Sequence, residues 1–329
     1  MRVTRCLIAL MACVLLLPAC GDDEEPTSTG ASETATATAE ATTDANTIAS
    51  NDANSSVTLT IGSKNFTEQK ILGEVYAQAF EAAGYGVEKD LNLGDEKTAL
   101  KAVETDQISA YPEYTGTALL SFFGVTADKI PTDPAQAATQ AQESFAKDGL
   151  KAFEPTPFTS SNEVAVTKQT ADELGLKTIS DLSEHAGDLT LYGSPECRRR
   201  LDCLRGLEEV YGLKFKKFVP TDIANRHEVL TSGRADVSIV FTTDPQIKRE
   251  NFVLLEDDKG MFPPYNSMLV MKQETADRAG GDLEKVIALV QKGLTDEAMQ
   301  ELNARVDLDK KDAATVAGEY LRESGYVGG

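Results

Sequence analysis

The chain contains no tryptophan, and only two histidines and five cysteines among 329 residues. Each scarcity removes a class of function. His185 and His227 are the only imidazoles and neither stands at ligand spacing to a cysteine, so a zinc centre lacks a donor set. There is no G-x-S-x-G elbow, no G-x-x-x-x-G-K-[ST] loop, no G-x-G-x-x-G after a strand and no H-E-x-x-H. An enzyme would need an unrecognised site, and no cofactor is expected. Asp257 and Asp258 are adjacent and would point to opposite faces of a strand, so they read as a solvated turn rather than an acid pair. Basic residues are also short: 32 Lys and Arg face 53 Asp and Glu, a net charge of -21 that repels nucleic acid. The one basic cluster, Arg198 to Arg200, is too small for a phosphate-tracking groove.

Long apolar runs are missing too, except at the start. Arg2 and Arg5 precede LIALMACVLLLPAC, whose apolar stretch before Cys20 is too short to span a bilayer and has the charged start of a secretory signal. Leu17, Ala19 and Cys20 resemble a lipoprotein signal, which implies cleavage of residues 1–19 and lipidation of Cys20. Each buried acyl methylene would hold the chain to the membrane by about 0.8 kcal/mol. Residues 21–56 hold no Lys, Arg or aromatic residue and cannot bury enough apolar surface to order themselves, so 20–56 is read as an acidic Ser/Thr/Ala-rich tether. With Cys6 and Cys13 in the signal, Cys197 and Cys203 are the remaining thiols. Two cysteines six apart in an exported chain most often pair, and zinc is the competing reading.

The remainder alternates strand and helix patterns. VTLTIGS reads as a strand; Asn65 and Glu68 stand at capping-box spacing before a helix with one apolar face ending at Gly84. The alternation recurs through ADVSIVF, then MFPPYNSMLVMK and a mostly helical end, which predicts a mainly parallel sheet, or two. Ligands in such sheets lie at the carboxyl ends of strands, here Ser63–Phe66, Tyr111–Tyr114, Gly193–Arg200 and Phe241–Asp244. What those rims offer is aromatic faces, hydroxyls and a guanidinium. A quaternary ammonium is held by cation–π contact, and without tryptophan any such cage is built from Tyr and Phe.

The segments IGSKNFTEQKILGEVYAQAFEAAGY, YPEYTGTAL, TADELGLKTISDL, CRRRLDC and ADVSIVFTTDPQI with LLEDDKGMFPPYN closely resemble the substrate-binding proteins of ABC importers for glycine betaine, choline and carnitine. The resemblance implies a type II periplasmic-binding-protein fold: α/β, two lobes joined by two hinge strands, with lobe one at 57–157 and 263–329 and lobe two at 158–262. It implies no enzymatic activity, a monomer lipid-anchored on the extracytoplasmic face of the membrane, and an ABC permease with a cytoplasmic ATPase as partner. By position, Tyr111 is the first cage tyrosine, with Tyr114 packed beneath or beside it. Phe241, followed by Thr242, falls at a second cage position and Tyr265 at another. Arg200 matches the carboxylate-binding arginine, and Lys64 is a further lobe-one candidate. One departure stands out. Where fuller cages carry another tyrosine this chain reads SSNEVAV, so Asn162 or Glu163 occupies that wall and three rings are expected. The rival readings are another zwitterion such as ectoine or proline, a ligand sensor, and an exported enzyme.

Overall fold

The computed structural model describes residues 46–328. The signal segment 1–19, Cys20 and the tether up to residue 45 lie outside the described residues. Among the described residues ten strands form two five-stranded sheets. The first holds β1 (Thr58–Gly62), β2 (Gly86–Asp90), β3 (Ala110–Tyr114), β4 (Leu150–Ala152) and, late in the chain, Ser267–Lys272. The second holds β5 (Asn162–Val166), β6 (Thr190–Gly193), β7 (Lys217–Pro220), β8 (Val237–Phe241) and β9 (Val253–Leu255). The late strand is β10, and the orders are β2-β1-β3-β10-β4 and β7-β6-β8-β5-β9.

Both sheets are mixed rather than mainly parallel. β1 runs parallel to β2 and β3, and β6 parallel to β7 and β8, as strand–helix–strand units require. β10 is antiparallel to β3 and β4, and β5 is antiparallel to β8 and β9. β5 and β10 are the strands that enter each lobe directly from the other, so neither is preceded by a crossover helix of its own lobe. The chain crosses between Ala152 and Asn162 and returns between Leu255 and Ser267. The two crossing segments pair with each other at Thr159 and Asn266.

Packing follows the sequence pattern. Leu59 and Ile61 alternate inward from β1, and helix α1 (Thr67–Ala82) buries Ile71, Leu72, Val75, Tyr76, Ala79 and Phe80 against that sheet. Each Val, Leu, Ile and Phe side chain among them contributes about 1.5–3 kcal/mol of burial. The expected capping box at the start of α1 does not form: the cap residue is Phe66, without a side-chain cap bond. Glu68 is drawn inward instead, accepting from the Tyr114 hydroxyl at 2.6 Å and from Asn303 at 3.0 Å.

Residues 46–56, expected to belong to the tether, lie along lobe one. Ile48 N–H donates to Tyr326 O at 2.7 Å, Asn51 N–H donates to Ala83 O at 3.1 Å, and the Asn54 amide donates to the same carbonyl. Gly84, at φ +95°, ends α1, and a Cβ there would stand 2.7 Å from Asn51 O. Composition cannot register such backbone docking. Among the described residues no helix is long and apolar enough to cross a membrane.

Candidate functional site

The carboxyl ends of β1, β3 and β8 and the returning crossing segment converge on one cavity between the sheets. Its aromatic lining is Phe66, Tyr114, Phe241 and Tyr265; its polar lining includes Lys64, Thr117, Asn162 and Arg200, with Asp95, Glu96 and Glu196. The Phe66 ring lies 6.3 Å from Tyr114 and 5.3 Å from Phe241, centroid to centroid, so rings from both lobes touch. Beyond Phe241 the space continues into lobe two past Tyr192, Ser194 and Arg226.

β3 decides which tyrosine reaches the cavity. Tyr111 and Tyr114 are three apart and therefore on opposite faces of the strand. Tyr114 lines the cavity. Tyr111 is fully buried behind it and donates its hydroxyl to Glu113 Oε2 at 3.1 Å. The placements expected for the two tyrosines are thus exchanged. Gly116, in the turn after β3, lets the Tyr265 ring pack on the backbone, for a Cβ there would sit 2.7 Å from that ring.

Ion pairs flank the rings: Lys64–Glu113 and Arg200–Asp202 at the cavity, and the buried Arg226–Asp244 pair with Arg226 4.7 Å from the Phe241 ring. The Lys64 ammonium bonds Glu113 Oε1 and stands 4.5 Å above the Tyr114 ring and 6.0 Å from Phe66. Burial pulls Lys64 below the usual lysine range, and Glu113 opposes that. Glu113 Oε1 also accepts the Tyr114 N–H at 2.7 Å. In lobe two Arg200 bonds Asp202 through Nε at 2.8 Å and Nη2 at 2.5 Å, and the Tyr265 hydroxyl donates to the same carboxylate at 2.8 Å. Burial alone would raise Asp202, but Arg200 beside it holds that carboxyl below its ordinary range. Asn162 donates to Asp202 at 3.0 Å. Arg200, expected to receive a ligand carboxylate, therefore already has one from its own chain. It also reaches lobe one, at 3.4 Å from Thr117 Oγ1 and 3.5 Å from Glu96, while Arg199 bonds Asp95 at 2.8 Å. Cys197 and Cys203 form a disulfide around these arginines.

Two further expected site residues, besides Tyr111, lie elsewhere. Glu163 does not line the cavity: neighbours on a strand alternate, and Asn162 takes the cavity face. On the other face burial, aided by Asp257, pushes Glu163 up to about 7. Thr242 belongs to the hinge, its hydroxyl donating to Thr159 O at 3.2 Å and accepting from Ser161 N–H at 3.1 Å. Phe66, Tyr114, Thr117 and Glu96 line the cavity without having been singled out as ligand contacts; Phe66 and Tyr114 fall within the strand-end rims, which was the available signal.

Residues 57–323 match the family described as the substrate binding domain of an ABC-type glycine betaine transport system. The chain belongs to this family. Among relatives, it is 31% identical to a glycine-betaine-binding protein of Pseudomonas aeruginosa, over 81% of this chain and 88% of that one. It is 28% identical to the carnitine transport binding protein OpuCC of Listeria monocytogenes, over 84% of this chain and 90% of that one. A solved structure titled glycine betaine/carnitine/choline ABC transporter superposes with a TM-score of 0.64 at 27% identity, covering 82% of this chain and 99% of that one. The two mixed sheets with flanking helices are thus the two lobes of a type II periplasmic-binding-protein fold. The chain is an extracytoplasmic substrate-binding protein of an ABC importer for osmoprotectants of this kind, working with a permease, and is not an enzyme.

Proposed function

We propose that this protein captures a quaternary-ammonium osmoprotectant (glycine betaine, choline or carnitine) by cation–π contact with Phe66, Tyr114, Phe241 and Tyr265, with the lobes closed over it. The observation that carries this reading is that four rings from separate chain segments, spanning both lobes, line one cavity. Each desolvated ring contributes about 2 kcal/mol to a bound cation. Closure is favoured by whatever touches both lobes, and Arg199 and Arg200 do so through Asp95, Thr117 and Glu96. The mature chain works as a monomer anchored through lipid on Cys20, and delivers its ligand to the permease.

Calorimetric titration with glycine betaine, choline, carnitine, ectoine and proline tests the reading. Saturable binding of a quaternary ammonium is expected, weakened about thirtyfold in Tyr114→Ala and changed less than about twofold in Tyr111→Phe. Binding of ectoine or proline alone, or equal loss in both variants, would contradict it.

A further inference from the structure

Each cation lining the cavity already has a close carboxylate partner, and two further carboxylates, Glu96 and Glu196, line it without a short ion pair among the described residues. Lys64 is paired with Glu113, a pair that carries no net charge whichever side holds the proton. Arg200 is held through two nitrogens by Asp202, and Arg199 bonds Asp95. Glu96 remains. It opens helix α2 (Glu96–Glu104), lines the cavity and is 2% exposed. Its Oε2 is 3.5 Å from Arg200 Nη1, and its Oε1 is buried with no hydrogen-bond partner among the described residues. Glu196, at the same cavity, forms no ion pair among the described residues but is only partly buried.

Glu96 is not needed for what lies around it. Asp95 caps α2, accepting from Thr98 N–H at 2.9 Å, so the helix start has its cap without Glu96. Arg200 has its two short bonds without it. A buried carboxylate oxygen left without a donor costs free energy that a ligand donor placed beside it would recover. A ligand carboxylate brought to the same place would meet like charge and an arginine already neutralised.

We infer that Glu96 is a specificity-determining ligand contact: its free oxygen accepts a hydrogen bond from the ligand, so the cavity selects a quaternary ammonium bearing a hydroxyl donor over one whose polar end is only a carboxylate. This rests on the cation-cage reading above. Choline, a monocation with a hydroxyl, fits both features. Glycine betaine has no donor to offer and brings a second negative charge to Glu96, while carnitine, with a hydroxyl and a carboxylate, falls between them.

The test is calorimetry on the purified chain, unaltered and as Glu96→Gln, with three ligands: choline, the O-methyl ether of choline, which lacks only the donor, and glycine betaine. The unaltered chain should bind choline about tenfold or more tighter than either competitor. Glu96→Gln, which keeps the volume and removes the charge, should bring the three to within about threefold, by weakening choline and not glycine betaine. Equal binding of choline and its ether, or a preference for glycine betaine, would overturn the inference on the unaltered chain alone, whether or not the variant folds. Weakening of all three ligands by one factor would also overturn it, leaving Glu96 a structural support of Arg200. Absence of binding by all three to the unaltered chain would overturn the cage reading and the inference with it, an outcome distinct from binding without discrimination.

Discussion

Two ion pairs line the cavity, Lys64–Glu113 from lobe one and Arg200–Asp202 from lobe two, and in each the carboxylate also accepts a tyrosine hydroxyl. In lobe one Glu113 takes the Tyr111 hydroxyl and the Lys64 ammonium; in lobe two Asp202 takes the Tyr265 hydroxyl and the Arg200 guanidinium. Lysine is a compact point charge that loses its proton when buried, whereas arginine keeps its charge and presents a planar fork. Lys64 accordingly stays within its own lobe, packed over Tyr114. Arg200 uses two donors on Asp202 and still extends to Thr117 and Glu96 of the other lobe. The lobe-one pair stays within one wall of the cavity, and the lobe-two pair also reaches across to the other lobe.

Removing the carboxylates should expose that difference most strongly. Asp202→Ala leaves a buried guanidinium that cannot neutralise itself, and is expected to destabilise the protein by about 3–5 kcal/mol in urea unfolding. Glu113→Ala leaves Lys64, which burial already pulls below its usual range and which can shed its proton, so a loss of about half that size is expected. Equal losses would mean that the identity of the cation does not matter.

A smaller effect separates the cavity face of lobe two from its other face. Glu163 is held up to about 7 by burial and by Asp257, whereas an unfolded chain ionises it near the ordinary glutamate value. Between those values the folded form binds more protons than the unfolded form, so this group lowers stability as pH rises from about 4.5 to 7, and the full penalty persists above that. Glu163→Gln should therefore flatten the fall in thermal midpoint over that window and leave ligand affinity unchanged. A variant with the same pH profile as the unaltered protein would show that Glu163 ionises freely.

The same contrast between faces explains how far the sequence could be read. The strand–helix alternation, the strand-end rims and the cysteine pair were legible because each is local: a periodicity, a turn or a spacing. The facing of a strand is not local. Tyr111 and Tyr114 are both aromatic, and only the position of β3 beside β1 and β10 places the second at the cavity. Asn162 and Glu163 pose the same problem on β5, and the alternation that takes Asn162 inward turns Glu163 away. Glu96 was hidden differently: beside Asp95 at a helix start it looks like one of two capping acids, and only its buried, unpartnered oxygen sets it apart. The ordering of residues 46–56 was invisible because it rests on backbone bonds to Ala83 and Tyr326, far off in sequence.

The most direct test of the cation cage compares choline with its neutral carbon isostere, in which a tert-butyl group replaces the trimethylammonium head. The two have the same shape and hydroxyl, so burial of apolar surface alone treats them alike, while attraction to ring faces acts only on the charged one. Saturable calorimetric binding of choline, with the isostere weaker by about a hundredfold, is the expected result for two or more rings acting at about 2 kcal/mol each, less what is spent on desolvating the charge. Equal affinity for both would show an apolar pocket indifferent to charge, and would contradict a cage built from Phe66, Tyr114, Phe241 and Tyr265.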